Sequence, residues 1–313
     1  MKNMKEMLSV TAQSDYNRNF WDAMRLVPDA AGKITGALET GSVSYLPADS
    51  EKKFRETMSG IGVIRKLATI QKKYSGTSAV WAYESDDYAT FVDDGEAIPN
   101  FNVKDDFRKI RVDSFKMAVL AKTSTEFISD PGFDAESYIT KRMAKSFAMT
   151  EDKTFINGTG TGEPTGILHN TLGAQTAVTT DTLAYDNCIE LFFSVKPEYR
   201  KNAVWMMNDR TALALRKLKD GDGNYLWNGE NDTILGKPVI ISSEMPDAED
   251  GNKPVLFGDL SYYWIIDRAP ISIKAVKELF AATDQVGYLG YERLDGKLIR
   301  SEAVKVIAIS EEE

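Results

Sequence analysis

The sequence holds one cysteine and one histidine in 313 residues. A single cysteine excludes an intrachain disulfide framework and any cysteine-built zinc site. A single histidine excludes the usual clusters of two or three imidazoles around a transition metal. No apolar run approaches the roughly 18 residues a membrane-spanning helix requires. The first ten residues lack an apolar core of signal-peptide length, so synthesis without export is the expectation. Basic residues are the minority, 38 against 47 acidic, for a formal charge of −9. That balance argues against tight nucleic-acid binding over the whole surface. What is present is 42% apolar residues, enough for a sizeable core and about two domains at this length.

The first 60 residues differ from the rest. Tyr16 to Arg25 has the pattern of a short helix, whereas Pro28 to Ala48 is rich in Gly, Ser, Thr and Pro with little periodicity. Such a stretch rarely makes its own core, yet it carries Trp21, Leu26, Val43, Tyr45 and Leu46. Two readings stand: a loosely packed extension, or an arm that packs on other subunits.

Residues 78–128 read as long antiparallel strands, with alternation in Ser78–Tyr83 and Ile110–Met117. Between them lie Glu84, Asp86, Asp87, Asp93, Asp94 and Glu96, with no basic residue from 84 to 96. A largely basic stretch, Lys104 to Arg111, follows. This suits a projecting hairpin with opposite charges on its limbs, or a plain solvated loop. Asp134 is placed to cap a helix running to about Asn157, whose Ile139, Met143, Phe147 and Phe155 recur at multiples of four, joined by Tyr138. At about 1.5 Å per residue this is a rod of roughly 35 Å.

A second unit follows. A helix is expected over 182–195, with Cys188 as a buried small hydrophobe. Asn202–Met207 reads as a buried strand, and Asn208 or Asp209 caps the next helix. Strands are expected at Pro238–Ile241, Val255–Phe257, Tyr263–Ile266, Ile271–Val276, Gln285–Arg293 and Ala303–Ile309, with Leu294-Asp295-Gly296-Lys297 as a hairpin turn.

Motifs for chemistry fail on order or composition. The glycines of Gly158–Gly166 follow a helix, whereas a phosphate loop follows a strand and opens one. Asp220-Gly221-Asp222-Gly223-Asn224 starts like a calcium loop, but Tyr225 and Asn231 occupy the positions that need Gly and Glu. His169 has no nucleophile elbow nearby. Arg210, Arg216 and Lys217 are too few for a nucleic-acid groove. No catalytic, cofactor-binding or metal-ligating residue is assigned, and no cofactor is expected.

Several stretches together resemble the major capsid proteins of tailed phages of the Hong Kong 97 type. Phe155 to Leu168 resembles the segment after that family's spine helix. In the family's order come Tyr16–Arg25 and Tyr45-Leu46-Pro47 (arm), Val63–Ala68 (entry to the extended loop) and Gly95-Glu96-Ala97-Ile98-Pro99 (the loop's tip or return). Leu218–Trp227, Leu235–Val239 and Phe257–Tyr263 resemble the axial domain, and Gly290–Gly296 the closing hairpin.

The resemblance implies an α+β fold with these parts: an N-terminal arm at 1–45, a peripheral domain with a long spine helix at 46–71, 109–179 and 269–313, an extended β-hairpin loop at 72–108, and a mixed α/β axial domain at 180–268. It implies a structural protein, not an enzyme. Its copies would form pentamers and hexamers of an icosahedral phage head around double-stranded DNA, assembled in the bacterial cytoplasm. A portal protein, a scaffolding protein and a maturation protease are the implied partners, and no membrane is. An acidic lining would let packaged DNA slide. At most about fifteen residues precede the match, which implies a processed form or a separate scaffold. The family's cross-linking lysine near the loop tip is matched by Ile98, with Lys104 beyond it, so covalent cross-linking is not expected. The alternatives are an encapsulin-like compartment and an unrelated hydrolase using His169.

Overall fold

The computed structural model describes residues 3–38, 44–74, 79–83, 91–93, 107–130, 132, 134–227 and 232–310. The chain opens with helices α1 (Met4–Thr11), α2 (Ser14–Met24), α3 (Ala30–Leu38), α4 (Ala48–Ile61) and the single turn α5 (Ile64–Leu67). Strands β1 (Thr69–Lys72), β2 (Ala79–Tyr83), β3 (Phe107–Arg111) and β4 (Phe115–Ser124) follow, then α6 (Thr125–Ser129) and the rod α7 (Ala135–Asn157). The next unit comprises β5 (Gln175–Thr180), α8 (Tyr185–Ser194), α9 (Pro197–Arg200), β6 (Val204–Met207), α10 (Asp209–Arg216), β7 (Thr233–Ile234), β8 (Lys237–Ile241) and β9 (Val255–Gly258). Two long strands, β10 (Tyr263–Val276) and β11 (Gln285–Leu298), and a short one, β12 (Val304–Ile309), complete it.

Two sheets organise these elements. One has the order β1-β10-β11-β4; the other is six-stranded, β5-β12-β9-β6-β8-β7. The ribbon β2–β3 stands apart from both. Each sheet has its own apolar core. Around the first, Ile271, Ile273, Val286 and Tyr288 meet Phe20, Ile34, Leu38, Phe54, Ile139, Met143 and Phe147. Around the second, Trp205, Met207, Leu256, Phe257, Val306 and Ile307 meet Cys188, Leu191 and Leu215.

α7 runs through both cores. Its N-cap Asp134 accepts a hydrogen bond from Ser137 N at 3.0 Å, as the sequence predicts. Its first half feeds the first core, and Phe155 and Ile156 feed the second. β10 and β11 cross the same boundary, since Tyr263, Ile265 and Leu294 belong to the second core.

The N-terminal residues correct an expectation. The described residues of the segment 1–45, read as lacking a core of its own, pack within their own chain: Tyr16, Phe20, Met24, Ile34 and Leu38 are buried. Tyr288 Oη donates to Met24 O at 2.7 Å, and Tyr16 Oη donates to Tyr45 O at 2.7 Å. The buried positions of α3, Ala30, Ile34 and Leu38, are four apart, a spacing masked in the sequence by the glycines between them. Residues 44–46 then follow the free edge of β10, where Leu46 N donates to Ile271 O at 2.9 Å.

The closing strands also differ from expectation. Leu294-Asp295-Gly296-Lys297 is not a turn but lies inside β11, where Asp295 and Gly296 face Ile266 and Ile265. Asp295 is fully buried and accepts from Asp113 N at 2.8 Å, a bond made just where Ile110–Met117 breaks into β3 and β4. The expected strands Tyr263–Ile266 and Ile271–Val276 are one strand, β10, carried through by register shifts around Asp267 and Ala269. Residues 304–309, grouped by sequence with the peripheral 269–313, form β12 between β5 and β9. β5 likewise falls in 109–179 by sequence but belongs to that second sheet. Chain order hides this because both strands pair with partners far away in sequence.

Gly296 is required by close approach. A Cβ there would lie 2.3 Å from Tyr263 Oη and 3.0 Å from the Phe155 ring. Overpacking of this kind costs about 1–3 kcal/mol. Gly296→Ala should lower the urea midpoint accordingly with the cooperativity of unfolding unchanged; an unaltered midpoint would show that the ring moves aside freely.

Candidate assembly surfaces and the charge cluster beneath them

The residues that could have carried chemistry have structural roles. His169 is half-buried, and its Nδ1 accepts from Leu172 N at 3.2 Å and Thr171 N at 3.3 Å, which closes a turn. In the glycine run, Gly166 N donates to Gly158 O at 2.9 Å, and a Cβ on Gly166 would sit 2.4 Å from Gly158 N. These glycines let backbone meet backbone after α7 and open no helix. Asp220 accepts from Asn224 N at 2.8 Å and Asp222 N at 3.0 Å, and these bonds hold its carboxyl below the usual range. Arg210 pairs with Asp247 at 2.7 Å and Arg216 pairs with Asp232, so neither is a free cation. Cys188 is buried, which pushes its thiol up to about 12. Among the described residues no group of three metal-ligating side chains converges, and no helix is long and apolar enough to cross a membrane.

Sequence reasoning missed the main polar feature of the molecule. Arg65, from α5, lies between three elements. Its Nε and Nη2 each donate to Glu151 of α7 at 2.6 Å, and Nη2 also reaches Asp267 of β10 at 2.9 Å and Glu292 of β11 at 3.3 Å. Arg55 of α4 pairs with Glu292 and lies 3.6 Å from Asp267. All three carboxylates are essentially inaccessible. One comes from each element that crosses between the two cores, so the cluster occupies the seam. The only sequence signal was Arg65-Lys66 inside the otherwise apolar Val63–Leu67, with the acidic partners at unrelated positions 86 to 227 residues away.

Glu51 of α4 lies 3.8 Å from Arg55 as well, so four carboxylates face the two guanidiniums. Burial pushes the Glu151 carboxyl up to about 7, opposed by Arg65 and reinforced by the charge on Glu292. Asp267 is held below its ordinary range, because Arg65 and Arg55 outweigh its burial. Asp152, next to Glu151, caps the other end of the joint by accepting from Val63 N at 2.8 Å and Ile64 N at 3.0 Å.

Outside this seam the chain leaves apolar groups uncovered. The ribbon β2–β3 is held to the body by a small contact of Val80, Val112 and Ile266, and a lone two-stranded ribbon is marginally stable in water. Trp81 on it is 59% exposed, with Lys109 Nζ 5.8 Å from its ring. Phe91, beyond the ribbon, is fully exposed. On the second unit Phe193 and Leu213 stand more than half exposed on α8 and α10. Most of the acidic stretch, with Gly95–Pro99 and Lys104, lies outside the described residues.

A long rod laid across one sheet, a second sheet beyond it and a projecting ribbon define a shell-forming architecture, the Hong Kong 97-type capsid fold. Solved structures share it. The capsid of a native GTA particle, computed with C5 symmetry, superposes with a TM-score of 0.65 at 27% identity, covering 81% of this chain and 90% of that one. The capsid of an empty GTA particle gives 0.64 at 26%, covering 79% and 89%. A chain of Gordonia phage Cozz gives 0.59 at 16%, a likeness of fold alone, over 80% and 87%. Residues 44–309 match the Phage capsid family, and the chain belongs to it. Among curated relatives, the major capsid protein of Klebsiella oxytoca phage phiKO2 is 24% identical over 209 residues, 62% of this chain and 46% of that protein. The capsid polyprotein of Pseudomonas phage PAJU2 is 27% identical over 170 residues, 51% of this chain and 25% of that protein. The chain thus matches about half and a quarter of the length of these two.

The seam makes two expectations. Arg65→Met should cost about 3–5 kcal/mol in urea unfolding, since it strands buried carboxylates. The second concerns pH. Glu151 holds its proton more tightly folded than unfolded, so its contribution is complete below the ordinary carboxylate range and lost as pH rises through about 7. The stability of the native chain should therefore fall relative to that of Glu151→Gln from about pH 5 to about pH 8. A difference that stays flat would place the proton elsewhere in the cluster.

Proposed function

We propose that this chain is a major capsid protein whose copies form pentamers and hexamers of an icosahedral phage head holding double-stranded DNA. The observation that carries this reading is the likeness, over four-fifths of the chain, to capsid subunits solved with five-fold symmetry. The exposed apolar side chains support it, because Phe193, Leu213 and Trp81 have no cover within one chain. In this reading residues 180–268 meet their copies around the symmetry axes, and residues 72–108 extend over a neighbour as the loop. Shell stability rests on burial and repeated weak pairing. A single exposed ion pair contributes about 0–1 kcal/mol, but many identical copies act together. Portal, scaffold and protease are its proposed partners, and the work is mechanical, with no catalytic step.

Expression of the chain alone followed by sedimentation and negative-stain microscopy tests this reading. Capsomers or shell-sized particles are expected, and a purely monomeric product would count against it. Deletion of residues 84–98 should leave a folded subunit, judged by circular dichroism, that makes no stable shells; normal particles from that deletion would remove the loop from the mechanism. Particles that carry a packaged enzyme and no DNA would turn the reading toward an encapsulin-like compartment.

A further inference from the structure

The solvent face of α7 carries charge of one sign. The helix holds four cations, Lys141, Arg142, Lys145 and Lys153, and three carboxylates, Glu136, Glu151 and Asp152. The carboxylates are all engaged elsewhere. Glu151 and Asp152 are buried at the seam, and Glu136 accepts from Ser50 Oγ at 3.1 Å and from Lys53 Nζ at 3.4 Å. The cations are all exposed. Their spacings of three, four and eight residues put them on one side of the helix. Half-buried Tyr138 and exposed Met149 stand in the same row. The first half of the row borders a shallow hollow of about 530 Å³, lined by Asp134, Ser137, Tyr138, Lys141, Arg142 and Lys145.

None of the four cations makes an ion pair or a side-chain hydrogen bond among the described residues. That is unexpected in a chain with a formal charge of −9, where carboxylates outnumber bases. The rod cannot turn to hide the row, because Ile139, Met143, Phe147, Phe155 and Ile156 lock its other side into both cores. From Lys141 to Lys153 the cations span about 18 Å of straight helix at about 1.5 Å per residue. A peptide laid on a helix takes most of its affinity from apolar anchors at i, i+3, i+4 and i+7. Here cations hold those places, and Met149 is the one strongly exposed large apolar side chain of α7. A duplex presents a phosphate about every 1.7 Å of its axis, so a row of this length meets several in any register.

We propose that the solvent face of α7, through Lys141, Arg142, Lys145 and Lys153, binds the phosphate backbone of duplex DNA without reading its sequence. Exposed, hydrated cations on a convex rod position a backbone and have no groove from which to reach base edges. The proposal rests on the shell reading for the source of the DNA. In that reading this face of α7 belongs to the wall that meets the packaged duplex, and the wall is not acidic throughout, as the resemblance implies. One chain holds the duplex weakly, since its remaining surface is acidic, and repeated copies of the row add together.

Titration of the full chain against a labelled DNA duplex of about 20 base pairs, followed by fluorescence anisotropy at several salt concentrations, tests this. Four phosphate contacts give a slope of log affinity against log salt of about −3.6. Lys141→Gln, Arg142→Gln, Lys145→Gln and Lys153→Gln together should weaken binding at least about tenfold at about 50 mM salt and flatten that slope. Glutamine keeps the helix propensity of these exposed positions, and circular dichroism and melting check the fold. A second variant removes the same charge from the face of the first sheet turned away from α7: Lys116→Gln, Lys122→Gln, Lys274→Gln and Arg293→Gln. It should keep most of the binding; an equal loss in both variants would mean bulk charge alone and overturn the proposal. So would a native chain with no salt-dependent binding. An α7 variant that binds the duplex normally but no longer assembles would assign the row to an acidic protein surface and overturn it as well. Duplex binding through α7 by a chain that builds no shells would sink the shell reading and leave the row standing; shells from a chain whose α7 row is inert would do the reverse.

Discussion

The arrangement of the molecule depends on a charge cluster at the seam between two hydrophobic cores. Apolar packing holds each core together but says little about how two cores should be oriented, because burial is non-directional. Arg65 supplies direction. Its planar guanidinium binds Glu151 through two parallel hydrogen bonds and reaches Asp267 and Glu292 from the same fork. The rod and both long strands are thereby fixed against one another at the level where each passes from one core to the next. A buried ion cluster of this kind is a poor source of net stability, since desolvation offsets most of the attraction. Its contribution is a fixed angle between the two units.

The elements legible in the sequence were those whose evidence is local. The rod α7 announced itself through a cap and a four-residue apolar repeat, and β6 through an unbroken apolar run. The features that were hidden depend on distant partners. Asp295-Gly296 has the composition of a turn, but Asp295 is taken by Asp113 N, and Gly296 is needed because Tyr263 and Phe155 crowd it. The N-terminal helices look unsupported until the sheet beneath them is present. Arg65, Glu151, Asp267 and Glu292 share no spacing, and their common site exists only once the fold has formed.

The same division explains why the chain carries no legible chemistry. One histidine and one cysteine are both absorbed, the first in closing a turn and the second as filler in a core. The perturbed carboxylates Glu151 and Asp267 sit in the seam, buried from solvent. What remains open to partners is area: a ribbon held by a small contact, and aromatic and aliphatic side chains without cover. These are incomplete in the single chain in a way that another chain can complete.

β12 has a consequence for synthesis. It follows every other described element, yet it lies between β5 and β9 inside the second sheet. β5 has no other strand beside it, and β9 lacks its second neighbour until β12 arrives. A nascent chain therefore cannot close that sheet before residue 309 has left the ribosome. An unfinished chain would leave β5 unpaired and the second sheet open.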